Sequence, residues 1–560
     1  MAVIGIDLGT INSLACVWKD GSTEFIPDAE GDVLTPSVVS IDKDGELLVG
    51  KSAKECLISR PEQTICKFKR FMGTDKKYNI GGDVYTPEDL SAMVLRKLKR
   101  DAEIYPGEEV TEAVISAPAY FNNEQRAARR QAGEFAGLKT ERLVNEPSAA
   151  ALACQVFYPE EEAMFLVIDF EGGTLDVSLV ECFDQVINIL AVSGDNHLGG
   201  IDFDIAIAKH FCKENQIDFK ELSRQKREIV LKSAEATKIA LTEWEEAKMK
   251  VCWKAETLTL DLSREELIRI ASPVFERFLK PIERVLKDGN AAMDDIQNII
   301  LVGGSCKMPV VEMYVHYVLK KKPIYMGSPD TIVAQGAGVY AAVKERKEGV
   351  KDTLLTDICP FSLGVAVYNK YDPDRSEMSC LIERNTPLPA SRSGRYHTVQ
   401  DYQREVYLPV YQGEEYYAED NVKIADLKIE VPPQKKGMEA VDVQFMYDIN
   451  GLLKVTVTVC YTGKRKQLLV DRGNRYQTKE QLERRVKELE ALTILPQDKE
   501  ENRILIEKAK SLYSQLSGAE RERIASALEY FHQMISGSSL NWALKLLVIR
   551  GKSKRHMPRN

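Results

Sequence analysis

Two segments of this chain repeat one arrangement: an apolar run ending in aspartate, followed closely by glycine and threonine. They are Gly5-Ile6-Asp7-Leu8-Gly9-Thr10 and Ile168-Asp169-Phe170-Glu171-Gly172-Gly173-Thr174. Two further glycine turns follow apolar stretches, Leu198-Gly199-Gly200-Ile201-Asp202 and Leu301-Val302-Gly303-Gly304-Ser305. Glycine lets backbone N–H groups approach anionic oxygens closely, and successive amides in a tight turn make an anion-binding concavity. A threonine hydroxyl adds one hydrogen bond. An aspartate at each strand end suits Mg²⁺, which keeps several waters and takes few carboxylates. One such hairpin by itself is an ordinary β-turn. Two copies with two more glycine turns, in this order, point to a phosphate cradle closed from two lobes.

The rest of the chain bounds that reading. At 560 residues it is too long for one core. To about residue 350, short apolar runs (VIGID, AVISAP, MFLVIDF, NIILVGG) alternate with helical stretches such as Glu124 to Gly137 and Glu228 to Glu243, an α/β pattern. Residues 351–357 form a short apolar linker around Leu354-Leu355. Residues 358–474 carry strand-length runs with turns at Asn385-Thr386-Pro387 and Pro432-Pro433, an antiparallel β-sandwich pattern. Residues 475–549 read as helices and 550–560 as a basic, solvated tail. The net charge of −9 gives no reason to expect nucleic acid. Eleven cysteines without metal-like spacing, several among apolar neighbours as at Cys154 and Cys182, indicate thiols in a reducing compartment. With no run of the length a membrane span needs, the expectation is a cytoplasmic protein without a membrane partner.

GIDLGTINS, FKRFMG, APAYF, VNEPSAAALA, IDFEGGTLDVSL, GDNHLGGIDFD and LVGGSCKMP resemble, in order, the signature segments of the seventy-kilodalton heat-shock chaperones, the DnaK family. TDICPFSLGV, LIERNTPLP, VYQGE and YDINGLLKV extend the match, and their wording is similar to the HscC branch. The resemblance implies a two-lobed ATPase domain of the actin or ribonuclease-H-like fold. It also implies an eight-stranded peptide-binding sandwich and a helical lid, here short.

It also implies roles. Lys69 and Glu146 would position the attacking water, with Asp169 and Thr174 beside them. Asp7 and Asp169 would hold Mg²⁺ through water, with K⁺ nearby. Gly9, Thr10, Gly172, Gly173, Gly199 and Gly200 would cradle the phosphates of ATP or ADP, and Asp176 is a neighbouring carboxylate. Glu235, Lys238 and Thr242 share one helix face. They would meet adenosine from one side, with Gly303, Gly304, Ser305 and Lys307 on the other and Asp330 in support. Pro118 and Arg126 match relay positions between the domains. Val365, Val399, Val406 and Leu408 would line a cleft for extended apolar polypeptide, with Val406 as its floor and Tyr368 arching toward Val399. A J-domain co-chaperone and a nucleotide exchange factor are the implied partners.

Three positions depart from the family pattern: Ile11 for threonine, Glu171 for glycine and Lys307 for arginine. A carboxylate in the phosphate hairpin opposes an anion by like charge, and lysine lacks the planar guanidinium that stacks on a base. These departures expect altered nucleotide affinity or slow turnover. Two rival readings follow, a nucleotide-binding module with weak or absent ATPase and an actin-fold metabolite kinase. The kinase would have no use for a β-sandwich behind an apolar linker.

Overall fold

A computed structural model describes the chain except residues 1, 42–45, 106, 158–162, 184–185, 254–255, 351–352, 450, 471–483, 485–492, 495–496, 517 and 536–560. The expected basic tail and parts of the linker and helical region lie outside the described residues.

The four apolar runs form buried strands, and they build two sheets on one plan. In the first sheet, Ala2–Leu8, Asn12–Lys19 and Ser22–Phe25 make an antiparallel meander. Val110–Ala117 and then Lys139–Asn145 add in parallel beside its first strand. In the second, Ala163–Phe170, Leu175–Phe183 and Val186–Asp195 make the meander, and Asn298–Val302 adds in parallel beside its first strand. Asp7 and Asp169 therefore occupy equivalent strand ends. Parallel neighbours need crossover segments. The crossover to Val110–Ala117 includes helix Pro87–Ile104, started by a capping box at Thr86 and Asp89. Helix Asn123–Phe135 is capped in the same way by Asn122 and Gln125. Separate apolar clusters fill the first lobe, around Ile6, Phe68 and Leu95, and the second, around Phe170, Phe203 and Phe278.

Leu354–Thr356 of the linker adds a fifth strand to the second sheet, parallel to Val186–Asp195. It satisfies an edge that would otherwise expose unpaired backbone groups. Leu355 packs on the core, while Leu354 is 62% exposed.

Beyond it, eight strands form two four-stranded antiparallel sheets. One orders Glu377–Ile382, Leu363–Val367, Glu405–Gln412 and Val422–Glu430. The other orders Ala390–His397, Ala440–Tyr447, Leu453–Val459 and Arg465–Val470. Val365, Val410, Val443, Phe445 and Val455 sit in the core of this region.

Specific contacts join this region to the first half. Tyr447 donates to Asn123 Oδ1 at 2.9 Å. Arg384 grips Asp288 through two hydrogen bonds of 2.7 and 2.6 Å. The rings of Tyr120 and Phe361 meet at 4.4 Å. The C-terminal segment also returns to the first half. Thr493–Ile494 pairs in parallel with Glu46–Val49, and helix Gln497–Gln515 packs on helix Lys51–Ser59. There the fully buried Glu507 pairs with Arg60 at 3.0 Å and accepts from the Cys56 thiol at 3.3 Å.

Candidate functional site

The glycine turns come together between the two sheets. A Cβ on Gly173 would lie 2.8 Å from Thr10 Oγ1, and one on Gly172 would lie 2.1 Å from Ile11 Cγ1, so the two hairpins face each other. Gly199 lies with its Cα side against the Gly172-Gly173 backbone, where an added Cβ would be 2.4 Å from Gly173 N. Only glycine allows that approach. Gly303 has φ of +85° at the end of Asn298–Val302, with Asp169 Oδ1 close by. Ser305 donates to the Glu171 carbonyl at 2.7 Å and also approaches Gly200. The four turns thus share one cleft, although 294 residues separate Gly9 from Gly303 in sequence.

Beneath the hairpins lies a buried charged cluster. Lys69, 2% exposed, sits in the short helical turn Phe68–Phe71 and reaches Glu146 Oε1 at 3.1 Å and Glu171 Oε2 at 3.2 Å. Glu146 begins helix Glu146–Phe157 and is fully buried. Asp7 accepts from Ser116 at 2.7 Å, and Asp176 accepts from the Tyr120 N–H at 3.1 Å. Arg129, fully buried, donates to the Leu8 carbonyl at 2.6 Å and lies 3.8 Å from Glu146. Arg70 crosses between lobes, donating to the Gly173 carbonyl at 3.2 Å and to Asp202 at 2.8 Å.

Burial governs the protonation of this cluster. It raises Asp7 to about 6, with help from the Glu171 charge. It raises Asp176 to about 7. Asp169 is pushed well above the usual carboxylate range by burial and then by Glu171. Burial also lifts Glu146, against the pull of Lys69. Lys69 is held above its ordinary value by Glu146 and Glu171, which overcome its burial. Because Asp7 and Asp176 titrate above their unfolded value of 3.8, ionising these two costs the folded state. That cost is absent below the unfolded pKa, grows as pH rises and is complete above about 7. Cation-free protein is therefore expected to gain stability on going from pH 8 to pH 6, by on the order of 1 kcal/mol. Thermal unfolding across that range checks it, with millimolar Mg²⁺ expected to remove the difference. A melting temperature flat in pH without cation would oppose this electrostatic account.

The cleft suits a cation and an anionic ligand. Both oxygens of Asp169, Thr10 Oγ1, Glu146 Oε2 and Asp176 Oδ2 are buried without a hydrogen-bond partner among the described residues. Buried polar groups are normally satisfied, and orphaned ones mark a site completed by something else.

The expected adenosine side divides. Lys238 pairs with Asp204 at 2.7 Å and donates to the Gly200 carbonyl at 3.1 Å, and its ammonium lies near Ser305 across Gly200. Glu235 pairs with Lys54 across the cleft at 3.4 Å. Lys307 pairs with Asp330, and a Cβ on Gly304 would meet that same aspartate. The Thr242 carbonyl accepts from Arg264 at 3.1 Å, which places that residue at the helix end.

In the expected relay, Pro118 is buried after strand Val110–Ala117. Arg126 donates to the Phe121 and Ala119 carbonyls and to Asn145 Oδ1, at 3.1, 3.0 and 2.6 Å. Asn145 in turn donates to Asp357 at the end of the linker, as does Ser148 at 3.4 Å. In the sandwich, Val365 and Leu408 lie in the core and Val406 at its margin. Tyr368 and Val399 stand 53% and 39% exposed.

Sequence reasoning missed Arg70, Arg129, Asn145, Asp357 and the Arg384–Asp288 pair. Arg70 was within view, one residue after Lys69. Nothing local signals Asp357, whose partner Asn145 lies 212 residues away.

Comparison with known proteins agrees over most of the length. The family model described as Hsp70 protein matches residues 3–80 and 76–534. The chain is 40% identical over 488 residues to the chaperone protein DnaK of Thermotoga neapolitana, covering 84% of this chain and 80% of the relative. The DnaK of Thermosipho africanus is 40% identical over 483 residues, with 84% and 79% covered.

Proposed function

This chain belongs to the Hsp70 protein family and is an ATP-dependent molecular chaperone with ATPase activity, and from that premise we propose which of its residues carry the cycle. The observation that carries the reading is Lys69 bridging Glu146 and Glu171 beneath two opposed Gly-Thr hairpins.

ATP is the substrate, and Mg²⁺ is the family's cation. Asp7 and Asp169 would hold it, and K⁺ is a second ion this cleft would take. The cation, when bound, supplies charge neutralisation for the phosphates. Gly9, Thr10, Gly172, Gly173, Gly199 and Gly200 hold the phosphates through backbone N–H groups and the threonine hydroxyl. Glu146 orients the attacking water. The Lys69 ammonium, kept protonated by its two carboxylates, stabilises charge developing on the transferred phosphoryl group. Thr174 completes the second hairpin. Glu235, Lys238 and Thr242 face Gly303, Gly304, Ser305 and Lys307 around adenosine, and Asp330 fixes Lys307. Glu171 engages the same ammonium that would serve the phosphate, which supports slow basal turnover.

The architecture that this reading assigns is an actin-like two-lobed ATPase domain, 1–350, a linker, 351–357, and a sandwich, 358–474. Helices Gln497–Gln515 and Gly518–Ile535 follow among the described residues. Unfolded polypeptide is the client. Val365, Tyr368, Val399, Val406 and Leu408 shape the cleft that takes its extended apolar segments. Coupling runs from Pro118 and Arg126 through Asn145 to Asp357. A J-domain co-chaperone, an exchange factor and a cytoplasmic setting complete the proposal. Among the described residues no helix is long and apolar enough to cross a membrane.

Single-turnover ATP hydrolysis, with and without an extended apolar peptide, tests it. Peptide-stimulated hydrolysis is the expected result. Tight nucleotide binding without turnover, unaltered by Lys69→Ala, would favour the weak-ATPase reading instead.

A further inference from the structure

Glu171 gives this cleft a carboxylate where the family pattern has glycine, and the carboxylate points inward. Ligand oxygens of Asp7, Glu146 and Glu171 lie within 4.8 Å of one another, and all three residues are buried. They come from three separate elements: the end of Ala2–Leu8, the start of Glu146–Phe157 and the second hairpin. Each carboxylate spends one oxygen on the protein. Asp7 Oδ1 accepts from Ser116, Glu146 Oε1 from Lys69 and Glu171 Oε2 from Lys69. Of the remaining oxygens, Glu146 Oε2 is buried without a hydrogen-bond partner among the described residues. Asp169, with both oxygens unpartnered, adjoins the same cluster, as does Asp176. Five buried carboxyl groups thus face three buried cations among the described residues, Lys69, Arg126 and Arg129.

We propose that Asp7, Glu146 and Glu171 form a divalent-cation site that fills in the absence of nucleotide, by direct carboxylate coordination of a hard ion such as Mg²⁺ or Mn²⁺. Oxygen-only ligands select ions of that class. An ion held through water beneath bound phosphates depends on the nucleotide for its place. This one is held by the chain itself and is present before ATP arrives. It also resolves the like-charge problem, because a cation between Glu171 and an incoming phosphate turns repulsion into attraction. The inference rests on reading this cleft as the ATP site, but cation binding and nucleotide binding are measured separately.

The test uses the full chain stripped of nucleotide and metal, with Mn²⁺ binding followed by electron paramagnetic resonance. One tightly bound Mn²⁺ per chain is expected. Glu171→Gln and Glu171→Gly should each weaken it by about tenfold or more, since even outer ligands of metal sites change affinity by roughly 10–100-fold. Mn²⁺ should raise the melting temperature of the parent protein and not of either variant, which separates site loss from misfolding. No Mn²⁺ bound to stripped protein, or equal binding in parent and variants, overturns the proposal. Binding of a fluorescent ATP analogue, measured in parallel, reports separately on the nucleotide reading.

Discussion

Lys69→Ala slows single-turnover ATP hydrolysis by roughly 10²–10³-fold and leaves ATP bound: that is the expected result, on the scale of losing one preorganised charge at a transition state. The lysine is 2% exposed and is held by Glu146 and Glu171 at 3.1 and 3.2 Å. Its position is therefore fixed before any phosphate arrives, and no reorganisation is required during reaction. Its removal also leaves Glu146 and Glu171 facing each other without the shared ammonium. Glutamate next to glutamate in a buried cleft favours proton uptake over ionisation, so water positioning by Glu146 suffers as well. Rapid-quench measurement with ATP in excess of its affinity checks the rate, and filter binding checks occupancy. Undiminished turnover in the variant would remove Lys69 from the chemistry.

Asp357→Ala is expected to undock the linker, shifting the equilibrium toward separated domains by roughly 30- to 150-fold, or about 2–3 kcal/mol. Asp357 accepts from the Asn145 amide, from Ser148 at 3.4 Å and from its neighbour's N–H at 2.9 Å. Asn145 also receives Arg126, so one substitution leaves a buried guanidinium network short of its terminal acceptor. Strand Leu354–Thr356 contributes only three paired residues and one packed leucine, too little to hold the interface alone. The readout is loss of peptide-stimulated hydrolysis with basal hydrolysis retained, together with faster proteolysis near residues 351–357. Peptide stimulation equal to that of the parent chain would show that docking does not pass through Asp357.

The hairpins were legible because their chemistry is local. Aspartate, glycine and threonine within a few residues of a strand end specify a turn and what it can bind, wherever the turn is placed. The strands were legible for a similar reason, since Ile4, Ile6 and Leu8 or Phe165 to Ile168 are apolar enough to demand burial. The docking surfaces were not. Arg384, Asp288, Tyr447 and Asn123 look like ordinary polar surface residues, and only their meeting gives them a role. Glu507 on a charged helix reads as solvated, yet it is fully buried against Cys56 and Arg60, more than 440 residues earlier.

Sequence alone determined the repeated strand-aspartate-glycine-threonine turn and the family likeness, because short-range sterics and burial act through near neighbours. Tertiary structure alone decided what Glu171 does. As a sequence departure it was a charge of unknown direction. In the fold it turns inward, takes a share of Lys69 and brings a carboxylate oxygen within 4.8 Å of those of Asp7 and Glu146. The reason is physical: electrostatic energy depends on separation and burial, and neither is defined until distant segments have packed together.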